Sequence, residues 1–182
     1  MKFLVISDNH GDRDILSAIY KANAKNVTAI FHCGDSELSV SDPLFQNQYV
    51  VQGNNDYGQN FPVEVTVPFE SETVYMTHGD HYQVNFGLTQ LSLRGKEVGA
   101  SLVFFGHTHQ LMADYVDQTL YLNPGSISLP RGEFRFLGGT YAIVDVDRQT
   151  IDVQFYTRIK SRSLNFTKNF HDRSAPYDFA TD

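Results

Sequence analysis

Cys33 is the only cysteine in this 182-residue chain, so no internal disulfide can staple it. Cys33 ends an apolar run between His32 and Gly34 and reads as a small buried hydrophobe. No stretch is long and apolar enough to span a bilayer or to act as a signal peptide, which makes a cytoplasmic protein without a membrane partner the expectation. Basic residues are also in deficit. Fourteen Lys and Arg against 21 Asp and Glu leave a formal charge of -7, which opposes long-range attraction to polyanions. Bulk nucleic-acid binding is therefore not expected, although a local cationic site can still take a phosphate. Internal repeats, low-complexity segments and a glycine-rich phosphate loop are absent too. What remains is 41% hydrophobic and 13% aromatic, enough to bury one good core.

The chain punctuates its apolar runs with polar turns. Lys2 to Ser7 is nearly continuously apolar, as a strand covered on both faces would be, and it stops at Asp8-Asn9-His10-Gly11. Ile15, Ala18, Ile19 and Ala22 then recur at helical spacing, with Asp12 placed to cap the helix. Thr28 to Cys33 predicts a second strand that delivers Gly34-Asp35, and Gln48 to Gln52 a third that delivers Gly53-Asn54-Asn55-Asp56. A short irregular helix containing Pro43 is expected between them. Further on, Val63 to Phe69 and Thr73 to Thr77 read as an antiparallel pair ending on His78-Gly79. Leu88, Leu91, Gly95 and Val98 outline a helix that leads into Leu102-Val103-Phe104-Phe105 and then Gly106-His107-Thr108-His109. Four more strands are predicted over 111–116, 119–122, 140–146 and 151–156. Strand and helix alternate in the first half and strands dominate the second, which suggests two packed sheets with helices outside them and loops from both sheets at one edge. One domain over 1–159 is expected. The tail over 160–182 carries four basic and three acidic residues but keeps Phe166, Phe170, Tyr177 and Phe179, so it can dock on the body or on a neighbouring copy in a homo-oligomer.

Collected at the strand ends, Asp8, His10, Asp35, Asn54, His78, His107 and His109 offer two anionic oxygens, one neutral oxygen and four imidazoles. Seven nitrogen and oxygen ligands are too many for one tetrahedral ion and suit two octahedral or five-coordinate ions such as Mn, Fe, Zn, Ni or Co. One carboxylate must bridge, and Asp35 would let each ion take four protein ligands. Two ions roughly 3.5 to 4 Å apart lower the pKa of a shared water and clamp both attacking and leaving oxygens in phosphoryl displacement.

Asp-x-His, Gly-Asp, Gly-Asn-x-Asp, His-Gly and Gly-His-x-His in this order resemble the calcineurin-like metallophosphoesterases. The short length and the Asn123-Pro124-Gly125-Ser126 turn are most similar to the small bacterial and archaeal phosphodiesterases of the YfcE type, over about residues 1 to 158. The resemblance implies a four-layer α/β/β/α sandwich of two mixed sheets, a dinuclear centre with manganese as the first choice, and hydrolysis of a small phosphodiester by a metal-bridging hydroxide. It places Asp8, His10, Asp35 and His109 on one ion, and Asp35, Asn54, His78 and His107 on the other.

Two departures stand out. Many larger relatives have a histidine after the ligand asparagine, whereas this chain has Asn55, which can donate a hydrogen bond but no proton. Asn55 and Asp35 are the candidate catalytic residues, and the identity of any general acid stays open. The His78-Gly79 pair is followed by Asp80-His81 where a second histidine is common, and His81 reads as a surface residue. Candidate substrate contacts are Asn55, the turn residues Asn123, Gly125 and Ser126, and Arg131. The turn equally reads as a plain structural one. Asp56 can orient a ligand or cap a turn, His32 reads as a sheet residue with one satisfied nitrogen, and His171 as solvated. The competing expectation is a protein-binding scaffold, since a retromer subunit resembles the same fold with a degraded metal site.

Overall fold

In the computed structural model, residues 1–158 are described in full and 163–171 as backbone only. Two mixed sheets face each other. The first runs in the order β11 (Ser163–His171), β10 (Thr150–Thr157), β9 (Thr140–Val146), β1 (Lys2–Ile6), β2 (Ala29–His32), β3 (Tyr49–Val50), and the second β4 (Glu64–Pro68), β5 (Thr73–Thr77), β6 (Leu102–Phe104), β8 (Thr119–Pro124), β7 (Leu111–Val116). Helix α1 (Arg13–Asn23) covers the first sheet and α2 (Thr89–Glu97) the second. Asp12 caps α1 by accepting from the Ile15 N–H at 3.2 Å, as its position in the sequence predicts.

Alternation along the strands assigns the layers. On β1, Phe3 and Val5 point between the sheets, where they meet Phe31, Val74, Met76, Leu102, Phe104 and Leu122. Leu4 and Ile6 point the other way, onto Leu16, Ile19 and Tyr20 of α1. Tyr75, Val103 and Tyr121 of the second sheet pack outward against Leu91 and Val84. Three apolar seams thus separate four layers, and burial on both faces explains why β1 reads as a continuous apolar run.

The structure departs from the expected elements in a few places. The third strand is only two residues long, because the Gln52 N–H leaves the ladder to reach the Pro62 carbonyl at 2.8 Å. The short helix expected around Pro43 is present, as a single 3-10 turn, Pro43–Phe45, capped by Asp42. Strand β11 lies inside the segment expected to be a tail and pairs antiparallel with β10. Strands β1, β2 and β3 run parallel, as do β5, β6 and β8, so the carboxyl ends of both parallel sets open on one edge of the sandwich.

Candidate metal centre

Every candidate ligand sits in a loop that leaves one of those carboxyl ends. The loops after β1 and β2 are laced together by Asp8 N–H to Gly34 O at 3.1 Å and His10 N–H to Asp35 O at 3.1 Å. Within the second sheet's loops Gly106 N–H donates to His78 O at 2.9 Å, and between the sheets the Ser126 hydroxyl donates to Asp8 O at 2.7 Å. Asp56 is buried and acts as a clasp: one oxygen accepts from Asp35 N–H and Gly53 N–H, the other from Glu37 N–H and the Ser36 hydroxyl. Two glycines permit the close approach. A Cβ on Gly53 would collide with the Asp35 carboxylate, and one on Gly106 with the Ser7 hydroxyl.

Asp8, His10, Asp35 and His109 form a tight group, with one ligand atom from each lying within 4.8 Å of all the others. His109 Nε2 is 3.2 Å from Asp8 Oδ1 and 3.3 Å from His10 Nε2. Acceptors behind the rings fix which nitrogen carries the proton. His10 Nδ1–H donates to Glu37 Oε1 at 2.7 Å, and His109 Nδ1–H to the Leu129 carbonyl at 2.7 Å. Each ring is thus turned so that Nε2 faces the centre, where its neutral form would offer a lone pair, and the two Nε2 atoms approach to 3.3 Å. Burial pushes the Asp8 carboxyl upward, but His109 beside it, with the charges of His78 and His109 and the Ser7 hydroxyl, brings it below its ordinary value. Burial disfavours protonation of His109, yet Asp8 and the Leu129 carbonyl raise its pKa against the opposing charge of Arg131.

The other three candidates are looser. His78 is fully buried and donates Nδ1–H to the Cys33 carbonyl at 2.7 Å, leaving Nε2 to face Asn54 Oδ1 at 3.2 Å and Asp35 Oδ1 at 3.6 Å. His107 is half-buried. Its ring centroid lies 5.1 Å from that of His78, and its Nε2 meets the Asn85 amide at 2.9 Å, so a ligand role would fall to Nδ1. Burial, and then the neighbouring His78, lower the His107 pKa. Asn54 is exposed.

Does this donor set fit cations? Asp8 is completely buried, and apart from the neighbouring His109 ring and Ser7 hydroxyl no donor among the described residues approaches its carboxylate. An ionised carboxylate held this way would be costly without a positive partner. Backbone strain points to the same place: Asp8, His10, Asp35, Glu37, His107 and His109 all hold positive φ, from 43° to 66°. Such residues cost about 1 kcal/mol or more each and persist where the surroundings over-determine them. The nitrogen and oxygen set fits hard or borderline divalent ions.

Other candidates occupy different positions. Asn123 gives its amide hydrogens to Gly106 O and Thr108 Oγ1, and takes the Gly125 N–H on Oδ1. Ser126 Oγ donates to Asp8 and accepts from Ser128 and Leu129. This turn spends its polar groups bracing the loops from within. Asn55 grips Asp35, with its backbone N–H on Oδ1 at 2.8 Å and its amide on Oδ2 at 2.5 Å. Arg131 is exposed, and its backbone N–H donates to His109 O at 3.0 Å. His81 is exposed, as expected. His32 is buried with both nitrogens satisfied rather than one, by Asn9 Oδ1 at 2.8 Å and Gly34 N–H at 3.2 Å. The side chain of His171 lies outside the described residues. Glu37, Asn85 and the carbonyls of Cys33 and Leu129 escaped the sequence reading; only a charged residue two positions after Asp35 gave any signal for one of them.

Comparison with known proteins bears on this geometry. The family profile of the calcineurin-like phosphoesterase superfamily domain matches residues 1–149. A probable metallophosphoesterase of Bacillus subtilis, YsnB, is 35% identical over 156 residues, covering 86% of this chain and 90% of that protein. A crystal structure of a predicted phosphoesterase from Streptococcus pneumoniae superposes with a TM-score of 0.89 at 35% identity, covering 93% of this chain and 97% of that one. Vacuolar protein sorting 29 from Cryptosporidium parvum shares the fold, with a TM-score of 0.75 at 17% identity over 94% of this chain and 98% of that one.

Proposed function

Because the chain belongs to the calcineurin-like phosphoesterase superfamily, we propose that it is a dinuclear, metal-dependent hydrolase of small phosphodiesters. The observation that carries this reading is the position of Asp35. Its carboxylate belongs to the group formed with Asp8, His10 and His109, and it also lies 3.6 Å from His78 Nε2 on the side of Asn54. A residue that touches both donor sets is suited to bridge two ions. Asp8, His10, Asp35 and His109 would hold one divalent cation, and Asp35, Asn54, His78 and His107 the other, with manganese the first choice. When bound, the pair supplies electrophilic stabilisation of phosphoryl oxygens and lowers the pKa of water.

The protein's own groups do the positioning. Glu37, Leu129 and Cys33 keep the protons of three imidazoles on Nδ1, so each Nε2 stays a ligand lone pair. Asn55 orients the Asp35 carboxylate and has no proton to give a leaving group, so reactive leaving groups are the expected substrates. The scaffold alternative draws on the likeness to vacuolar protein sorting 29, which shows the fold alone, whereas all seven donor positions are filled in this chain.

The test is to load purified protein with Mn and assay it against bis(4-nitrophenyl) phosphate alongside elemental analysis. Two ions per chain and metal-dependent release of nitrophenol are expected. Saturation at one ion would overturn the dinuclear part, and no hydrolysis across a panel of diesters and monoesters would favour the scaffold.

A further inference from the structure

A pocket opens beside the looser half of the centre, lined by Gln52, Asn54, Tyr57, Val63, Asp80 and His81. Asn54 links it to the proposed ion sites. Its walls have an unusual composition for a surface next to a phosphate site. Tyr57 is 81% exposed and Val63 44%, so an aromatic ring and a branched aliphatic stand in water with little to cover them. Phe86, 91% exposed, adjoins Asn85, whose amide contacts His107 on the same half of the centre. Isolated exposed apolar residues need no explanation, but two aromatic ones on loops that carry or brace candidate ligands call for one.

The charges are equally informative. Among the described residues no Lys or Arg lines the pocket, while Asp56 and Asp80 do, with His81 Nε2 3.7 Å from the Asp80 carboxylate. Arg13 is committed to Asp42, and Arg94 to Glu64 and Glu97. A substituent bearing a second phosphate or a carboxylate would enter a pocket whose described lining offers it no Lys or Arg and two carboxylates, Asp80 and the buried Asp56. A flat, uncharged aromatic group would find a ring to stack on and an aliphatic wall, with the amides of Gln52 and Asn54 available to polar atoms on its edge.

We propose that this pocket, with Tyr57 as its platform, is the subsite for one organic substituent of the phosphodiester, that it selects an uncharged aromatic group of the aryl or nucleobase class, and that Phe86, on the segment that braces His107, adds a second apolar contact to that group. The inference rests on the phosphodiester reading of the adjoining centre. Tyr57 acts on affinity, since its ring contacts the substituent and takes no part in bond making.

Calorimetric titration of the Mn-loaded protein with diphenyl, dimethyl and bis(4-carboxyphenyl) phosphate tests it, with turnover followed separately. Diphenyl phosphate is expected to bind at least tenfold more tightly than the other two. Tyr57→Ala should remove most of that preference, and Phe86→Ala part of it, both leaving the Kd for dimethyl phosphate unchanged. Leu93→Ala, which removes another exposed apolar residue on α2, should change nothing. Equal binding of the aromatic and methyl diesters, a preference untouched by Tyr57→Ala, or no binding of any diester overturns the proposal. Preferential binding through Tyr57 without turnover of any diester upholds the subsite and overturns the hydrolytic reading instead.

Discussion

The two halves of the centre are built to different standards. Around Asp8, His10 and His109 the donors are buried or nearly so, the imidazole protons are tied to a carboxylate and a carbonyl, and the ligand atoms crowd within 4.8 Å. Around Asn54, His78 and His107 only His78 has that treatment; Asn54 is exposed, and His107 leans on the exposed amide of Asn85. The first half is preorganised, so an ion entering it meets little reorganisation cost. The second would have to gather its proposed ligands as an ion binds. Preorganisation follows from position: the first half lies where β1 and β2 of one sheet meet the loop after β6 of the other, while the second borrows from the short β3 and the irregular 79–88 segment.

The largest effect should come from the residue both halves share. Asp35→Ala is expected to reduce bound metal from two ions to below one and to lower kcat/KM by about a thousandfold or more. Elemental analysis and hydrolysis of an aryl diester read the two effects; retention of two tight ions would remove Asp35 from the bridge. The halves should then separate. His109→Ala is expected to abolish the tighter of two sequential Mn binding steps and His107→Ala the weaker, each with a loss in turnover on the order of a hundredfold. A single class of two equivalent ions in the wild type would erase the contrast on which this rests.

Which parts of this contrast were legible in the sequence has a physical explanation. The proposed ligands sit directly after apolar strands and beside glycines, so Asp8, His10, Asp35, Asn54, His78, His107 and His109 stand out from local pattern alone. The strands did too, since burial on both faces gives β1 and β6 unbroken apolar runs. Asn85 does not stand out: its partner His107 lies 22 residues away, and the 3-10 segment that carries it has no periodicity. Ser126 was visible as a turn residue, but its bond to the Asp8 carbonyl spans 118 residues and its direction depends on how the two sheets meet. Strand β11 was hidden because an added edge strand need not be apolar.

Smaller changes probe the supports. Removing the partner of a metal-bound imidazole commonly costs 10- to 100-fold in metal affinity. Asn85→Ala should weaken only the second binding step and Glu37→Gln only the first, each about tenfold, and equal weakening of both steps by either variant would mean that the halves are not separable.

His32 offers a different lever on the preorganised half, through Asn9. Its neutral ring donates from Nε2 to Asn9 and accepts the Gly34 N–H on Nδ1, so a second proton has no place to go. Burial is the chief cause of a pKa pushed down to about 4, despite the nearby carboxylates of Asp56, Asp8 and Asp35. In the unfolded chain the ring titrates near 6.5, so between pH 6.5 and 4 the unfolded state binds more protons and stability falls as pH is lowered. In chelator-treated protein this amounts to about 2 kcal/mol between pH 7 and 5. Urea unfolding of wild type and His32→Gln should show a flatter dependence in the variant; parallel curves would assign the acid sensitivity elsewhere.

The smallest expected effect concerns the charge on the substrate. In the proposed dinuclear centre, two divalent cations with Asp8, Asp35 and a hydroxide would leave a charge of about +1, which one phosphodiester would neutralise and a dianionic monoester would over-compensate in a partly dehydrated site. Extra cations could rescue the monoester. The fold commits Arg13 to Asp42 at 2.7 Å and Arg94 to Glu64 and Glu97. Arg131 remains, close enough to oppose the protonation of His109, and on the side of the preorganised half. At near-neutral pH and equal metal loading, kcat/KM for an aryl diester should therefore exceed that for the matching monoester by about tenfold. Arg131→Ala should widen the gap by a further few-fold, because the dianion loses a nearby cation while the monoanion needs it less. Equal turnover of the monoester would mean that the centre carries more positive charge than two ions and Arg131 provide, and would direct attention to the residues beyond His171.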